Sequence, residues 1–309
     1  DIFDRLAKAD PGNAGWQRNL SVSQGKIGDV QFEQGNLPAA LTSYQASLAI
    51  ADRLAKADRG NAGWQRDLSV SHNKIGDVQR AQGNLPAALT SRQASLAIAD
   101  RLAKADPGNA GWQRDLSVSQ ARIGDVQFEQ GNLSAALMSY QASLAIADRL
   151  AKADPGNAGW QRDLSVSQEK IGAVQCAQGN LPAALASYQA SLAIRDRLAK
   201  AGPGNARWQR DLALSFGHVA TVKASQNARE DALGAFRQGR DIIARLVRQS
   251  PDNAILLKDL VWFNTQIATH EDETFSLFKA FGFPVRYDRN RTALNILGLF
   301  CFRNGCAAS

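Results

Sequence analysis

A tryptophan every 48 residues limits what this chain can fold into more than any other feature. Trp16, Trp64, Trp112, Trp160 and Trp208 are evenly spaced, with no insertion or deletion between them. The surrounding text recurs almost letter for letter and is clearest at 100–147, DRLAKADPGNAGWQRDLSVSQARIGDVQFEQGNLSAALMSYQASLAIA. A fixed period of this size means stacked supersecondary units, each touching mainly its neighbours. Ordering one such unit costs more backbone entropy than its own apolar side chains can offset, so stacking has to supply the core.

Each unit divides into two helical halves. In the first, Trp16, Leu20, Ser23, Ile27 and Val30 step by four and three residues, which keeps them on one face of a helix. In the second, Leu37, Leu41, Tyr44, Leu48, Ala51 and Leu54 repeat that rhythm. Neither half alternates as a half-buried strand would, so two amphipathic helices are expected per unit. The punctuation agrees. Asn13 suits an N-cap, and Gly35 can take the left-handed conformation that closes the first helix before Asn36 caps the second. Pro38 falls in that helix's first turn, where its missing N–H costs nothing. Lys56 falls in its last turn, where positive charge suits the helix dipole, and Asp58-Arg59-Gly60-Asn61 ends it.

Gly28, Gly35, Ala40, Tyr44 and the small Ser47 resemble the signature of the tetratricopeptide repeat. The match recurs at Gly76, Gly83 and Ala88, at Gly124, Gly131, Ala136 and Tyr140, and at Gly172, Gly179, Ala184 and Tyr188. The resemblance covers roughly residues 1 to 281. It implies an all-α, right-handed superhelical solenoid of antiparallel helix pairs, with the first helices lining a concave face. The family's usual period is about 34 residues. The extra 14 here add about two turns, roughly 10 Å, to each helix and leave the helical phase nearly unchanged. The chain reads as a long-helix variant.

On this reading, residues 1–12 are a truncated second helix of an upstream repeat, because Asp1-Ile2-Phe3-Asp4 aligns with Ala49-Ile50-Ala51-Asp52. That cut implies more chain upstream in a parent protein. Repeats follow at 13–60, 61–108, 109–156, 157–204 and, more divergent, 205–252, where Asn227 takes the place of Gly35. A partial sixth occupies 253–281, with Leu256 in the tryptophan's place and Leu277 and Ala280 where Leu37 and Ala40 predict. Residues 282–309 show no trace of the repeat. They are either a divergent cap over the last apolar face or unrelated sequence, such as the product of a shifted reading frame.

The net charge of +7 raises nucleic acid as a partner, but the distribution lowers it again. Before Gln209 there are 23 basic and 19 acidic residues, so the excess is spread along the chain rather than gathered into a stripe. No apolar run nears the ~20 residues that cross a bilayer, and no membrane partner is expected. Cys176, Cys301 and Cys306 do not make a disulfide framework and suit a reducing, cytoplasmic setting. His72, His218 and His270 sit in different repeats and share no motif. His270 with Glu271, Asp272 and Glu273 resembles a metal cluster only superficially, since neighbouring helical residues point apart. With no CxxC pair, no phosphate-binding glycine loop and no nucleophile beside a base, the chain reads as non-enzymatic, without metal or cofactor.

Binding is the remaining class. The close copies differ mainly at two places on the first helix. One holds Gln24-Gly25-Lys26, His72-Asn73-Lys74, Gln120-Ala121-Arg122 and Gln168-Glu169-Lys170. The other holds Phe32-Glu33, Arg80-Ala81, Phe128-Glu129 and Cys176-Ala177. The resemblance puts such positions on the ligand-bearing wall; free drift after duplication is the alternative. A basic residue persists as Lys26, Lys74, Arg122 and Lys170, accompanied by Asp29, Asp77 and Asp125 until Ala173. Candidate partner-binding residues are therefore Lys26, Asp29, Phe32, Asn73, Lys74, Asp77, Arg80, Arg122, Asp125, Phe128, Glu169 and Lys170. A groove of alternating sign with exposed Phe32 and Phe128 suits a peptide or helix with mixed charges and apolar anchors. It lacks the lysine, arginine and asparagine set that some family members use for a C-terminal carboxylate.

These features point to a protein–protein interaction scaffold. The truncation and the resemblance together imply the recognition arm of a larger, bacterial-type signalling or regulatory protein. The alternatives are a nucleic-acid-binding helical repeat and a self-association module, with homo-oligomers forming through exposed solenoid ends. Arg92 stands where the other copies have Tyr44, Tyr140 and Tyr188, and must snorkel outward or pair if that place is core.

Overall fold

The computed structural model describes residues 2–271, and every element in them is an α-helix. A short α1 (Ile2–Ala9) precedes α2 (Ala14–Glu33), α3 (Leu37–Ala57), α4 (Ala62–Ala81), α5 (Leu85–Ala105) and α6 (Ala110–Glu129). Then come α7 (Leu133–Ala153), α8 (Ala158–Ala177), α9 (Leu181–Ala201), α10 (Ala206–Ser225), α11 (Arg229–Gln249) and α12 (Ala254–Glu271). First helices of 20 residues alternate with second helices of 21, from α2 to α11. Consecutive helices pack on each other, as α2 on α3 and α3 on α4. The chain divides into two compact units, one spanning 1–146 and one beginning at 147. The suggested cap or tail at 282–309, and Leu277 and Ala280, lie outside the described residues.

Local chemistry fixes the helix ends as the sequence reading expects. Asn13, Asn61, Asn109, Asn157 and Asn205 each accept a hydrogen bond from the backbone N–H of the tryptophan three residues on. Gly35, Gly83, Gly131 and Gly179 sit at φ near +75°, and Asn227 holds the same left-handed turn at φ 62°. One cap lies beyond that reading. The Gln17 side-chain amide donates to the carbonyl of Ala7, and Gln65, Gln113, Gln161 and Gln209 do the same for Ala55, Ala103, Ala151 and Ala199. Each glutamine satisfies one of the orphan carbonyls that end the preceding helix. In the first two copies its oxygen also accepts from an arginine one helix further on, Arg53 for Gln17 and Arg101 for Gln65.

The core is built on small residues and close approach. In the first unit Ala40, Tyr44, Ile75 and Val78 form a buried cluster that joins α3 to α4. A Cβ at Gly28 would lie 2.6 Å from the Tyr44 ring, so glycine is what admits the aromatic there, and Gly124 stands the same way against Tyr140. The buried face of the first helix is wider than the step of four and three predicts. Gln17 and Ser21 are buried in α2, and Gln65, Ser69 and Ser71 in α4, with Ser21 donating to the Ser47 carbonyl at 2.9 Å. In the first copy Ile27 and Val30 are exposed, whereas Ile75 and Val78 pack on α3. The second unit ends in a larger core where Phe236, Trp262 and Phe263 meet edge to face.

Candidate functional site

In the first unit the persistent carboxylate of one copy meets the cation of the next, as Asp29 meets Lys74 and Asp77 meets Arg122. In the first unit the Asp29 carboxylate accepts from the Tyr44 hydroxyl at 2.8 Å and from Lys74 of the next copy at 2.7 Å, with Lys26 at 3.6 Å. Burial opposes ionisation of Asp29, but the Lys74 and Tyr44 hydrogen bonds and the Lys26 charge outweigh it and hold the carboxyl below its usual range. Burial and the same carboxylate push the Tyr44 hydroxyl up, so it stays a donor. One copy on, Asp77 accepts from Arg92 at 2.5 Å and pairs with Arg122 at 3.2 Å, and Asp125 accepts from Tyr140 at 2.7 Å. Asp29 and Asp77 are thus nodes, each tying its own second helix to the neighbouring first helix.

A second ladder runs along the first helices. Arg18 pairs with Asp67, and Arg66 with Asp115, both at 2.5 Å in the first unit. In the second unit Arg162 pairs with Asp211 at 2.7 Å and Arg210 with Asp259 at 2.5 Å. Single solvent-exposed pairs such as Arg18–Asp67 and Arg66–Asp115 contribute at most about 1 kcal/mol, so their weight lies in repetition and in fixing register; Asp259 is buried.

Several positions at which the copies differ are explained by these partnerships. Arg80 pairs with Glu129 at 2.6 Å. Arg92 is only 2% exposed: it neither snorkels nor faces water, but donates to Asp77 and to the backbone and side-chain oxygens of Asn73. Burial holds the Arg92 guanidinium below its usual range, opposed by Asp77, and its Nε is buried without a partner. Asn73 in turn donates to Ser95 Oγ at 2.7 Å. In the second unit Glu169 pairs with Arg195, a buried residue standing where Ala51, Ala99 and Ala147 stand in the other copies. Arg195 also donates to Ser165, Ser215 and the Asp211 carbonyl, and Ser191 Oγ is left buried without a partner. Burial opposes ionisation of Glu169, and Arg195 more than offsets it, holding the carboxyl low. His218, whose ring centroid is 5.0 Å from that of Tyr188, is pushed down by burial against the opposing charge of Glu169.

The phenylalanines are not free anchors. Phe32 is half-buried and packs against the Ala40–Tyr44–Ile75–Val78 cluster, and Phe128 is half-buried too. Lys170 is half-buried in α8 of the second unit. What stays open lies between α2 and α4: a cleft of about 130 Å³. Its rim carries Val22 and Val70, 49% and 46% exposed, with Lys26 and Lys74, and Gly25, Ser47 and Ser71 line it. Val22 and Val70 are identical in the close copies, so the differences between copies do not point to them. Arg195 has a signal in the sequence, a charge in a place otherwise held by alanine.

Among the described residues no group of three or more histidine, cysteine or acidic side chains is placed to hold a metal ion. Asp272 and Glu273 of the His270 stretch fall outside them. No described helix is long and apolar enough to cross a membrane.

No family model and no curated protein matches the sequence. Solved structures do. BtubC (BKLC) from P. vanneervenii is 16% identical with a TM-score of 0.62, over 79% of this chain and 87% of that one. A putative kinesin light chain of Podosopora anserina, with nearly identical TPR-like repeats, is 17% identical with a TM-score of 0.56, over 75% of this chain and 98% of that one. The Rap conjugation gene regulator of the plasmid pLS20, in complex with the Phr* peptide, is 14% identical with a TM-score of 0.56. The match covers 91% of this chain and 62% of that regulator. The chain has the tetratricopeptide-like fold of stacked antiparallel helix pairs.

Proposed function

We propose that the chain is a protein-interaction scaffold that works by binding rather than catalysis, holding a peptide or helix against the first helices of its first unit. The observation that carries this is the open cleft between α2 and α4. Val22 and Val70 offer exposed apolar surface there beside Lys26 and Lys74, which share Asp29 between them, and beside Asp67. Apolar anchors ringed by charge are what a mixed-charge peptide needs. The Rap regulator, which shares the fold, is in complex with the Phr* peptide, and this supports a peptide as the partner here. The wider role is the recognition arm of a larger signalling or regulatory protein.

The test is selection of a random displayed-peptide library on the immobilised chain, followed by fluorescence anisotropy with a labelled winner. Val22→Asp/Val70→Asp changes only exposed positions and is expected to weaken binding about tenfold or more. Retention of no peptide, or unchanged affinity in the double variant, overturns the reading.

A further inference from the structure

The cleft between α2 and α4 opens beside a glycine. Gly25 lines it, and the other close copies carry Asn73, Ala121 and Glu169 at that position. In two of them the side chain is part of a buried polar plug. In the second copy Asn73 donates its amide N–H to Ser95 Oγ and accepts Arg92 on its oxygen. In the fourth copy Glu169 pairs with Arg195, which donates to Ser215 Oγ. Ser95 and Ser215 are the counterparts, one and three periods on, of Ser47 and Ser71 respectively, which line the first-copy cleft with hydroxyls 3.5 Å apart.

We infer that the Gly25 cleft receives the carboxamide of an asparagine or glutamine from a bound peptide, which takes the place that Asn73 fills from within one copy later. This rests on the groove reading above and names the residue type it would select. Both internal plugs place an N–H donor on a serine hydroxyl, from the Asn73 amide in one and from the Arg195 guanidinium in the other. A guanidinium offers the same donor, but the cleft is lined by two cations, Lys26 and Lys74, as well as two anions, Asp29 and Asp67, so its charge meets repulsion as well as attraction there, which an uncharged group avoids. A carboxylate could accept from the serine hydroxyls, but Asp29 and Asp67 line the cleft and repel it. A carboxamide satisfies both sides: its NH₂ donates to Ser47, and its oxygen accepts from an ammonium. Lys74 has N–H groups to spare, because Asp29 takes one of three. Val22 and Val70 flank the opening and would cover the stem of the side chain.

The same geometry supplies the probe. A Cβ built on Gly25 meets nothing nearer than Ser47 Oγ at 3.7 Å, so Gly25→Asn adds a plug without backbone strain. Peptides selected on the wild-type chain are expected to share an asparagine or glutamine. Replacing it by leucine, or by the matching acid, should weaken binding to wild type about tenfold, the scale of two lost hydrogen bonds. Gly25→Asn should weaken the parent peptide by a similar factor. Equal affinity for the leucine or acidic analogue overturns the inference and needs no protein variant. Winners that bind Gly25→Asn as they bind wild type, yet fail on Val22→Asp/Val70→Asp, keep the groove and overturn the carboxamide. Retention of no peptide overturns both.

Discussion

Arg92→Tyr combined with Asn73→Gly would turn the second copy into the first at its most irregular point. Arg92 brings a buried guanidinium to a place built for a tyrosine, and its Nε is left without an acceptor. An unsatisfied buried donor costs roughly 1–3 kcal/mol. Replacing a buried charge pair with well-packed side chains is neutral or stabilising by about 1–4 kcal/mol. Space for the ring is already present, since Gly76 faces Arg92 as Gly28 faces Tyr44. The new hydroxyl would reach Asp77 as Tyr44 reaches Asp29 at 2.8 Å, and Arg122 remains to balance the aspartate. The double variant is therefore expected to gain about 2 kcal/mol, or roughly 4–8 °C in melting temperature for a domain of this size. Thermal denaturation followed by circular dichroism and calorimetry measures it. An unchanged or lowered melting temperature would refute the argument that the arginine is a packing defect.

Gly28→Ala places a methyl inside the Tyr44 ring, and overpacking of about 1–3 kcal/mol should exceed the gain in helix propensity of about 1 kcal/mol, lowering the melting temperature. Gly25→Ala, with its Cβ in ordinary contact, should leave stability unchanged or raise it; a loss equal to that of Gly28→Ala would contradict the contrast. Gln65→Leu strands the Ala55 carbonyl and should cost about 1–3 kcal/mol by urea denaturation, a neutral result removing the glutamine cap as a cause of stability. His72, His218 and His270 are all held below their ordinary values, chiefly by burial. The unfolded chain therefore binds more protons as pH falls through about 6.5, and stability should drop between pH 7.5 and 5.5. His218 faces Tyr188 and Arg195 of α9 and Glu169 of α8, and His218→Phe keeps the ring contact while removing its share of that drop. An unaltered pH profile of the melting temperature would show that His218 takes no part.

The helix pairs, their caps and their turns were legible because each depends on residues within a few positions. Asn13 meets Trp16, and Gly35 or Asn227 turns the chain, whatever lies elsewhere. The charge pattern was visible, but its use was not. Lys26 can reach Asp29 in its own helix at 3.6 Å, whereas Lys74 reaches back to Asp29 across two helices at 2.7 Å. That choice depends on how adjacent helices settle against each other, which no local spacing encodes. Gln17 and Ser21 were passed over as core because hydropathy ranks them polar, although amide and hydroxyl groups are readily buried where a backbone carbonyl waits for them. Phe32 looked like an exposed anchor for the opposite reason: the cluster that half-covers it comes from α3 and α4, outside its own helix.

The central claim is that a partner lies along α2 and α4 of the first unit. A selected peptide carrying a photoreactive benzophenone, crosslinked in place and mapped by mass spectrometry, tests it directly. Attachment at Val22, Lys26, Val70 and Lys74 is the expected result. Attachment at exposed second-helix positions such as Thr42 and Thr90 would contradict it.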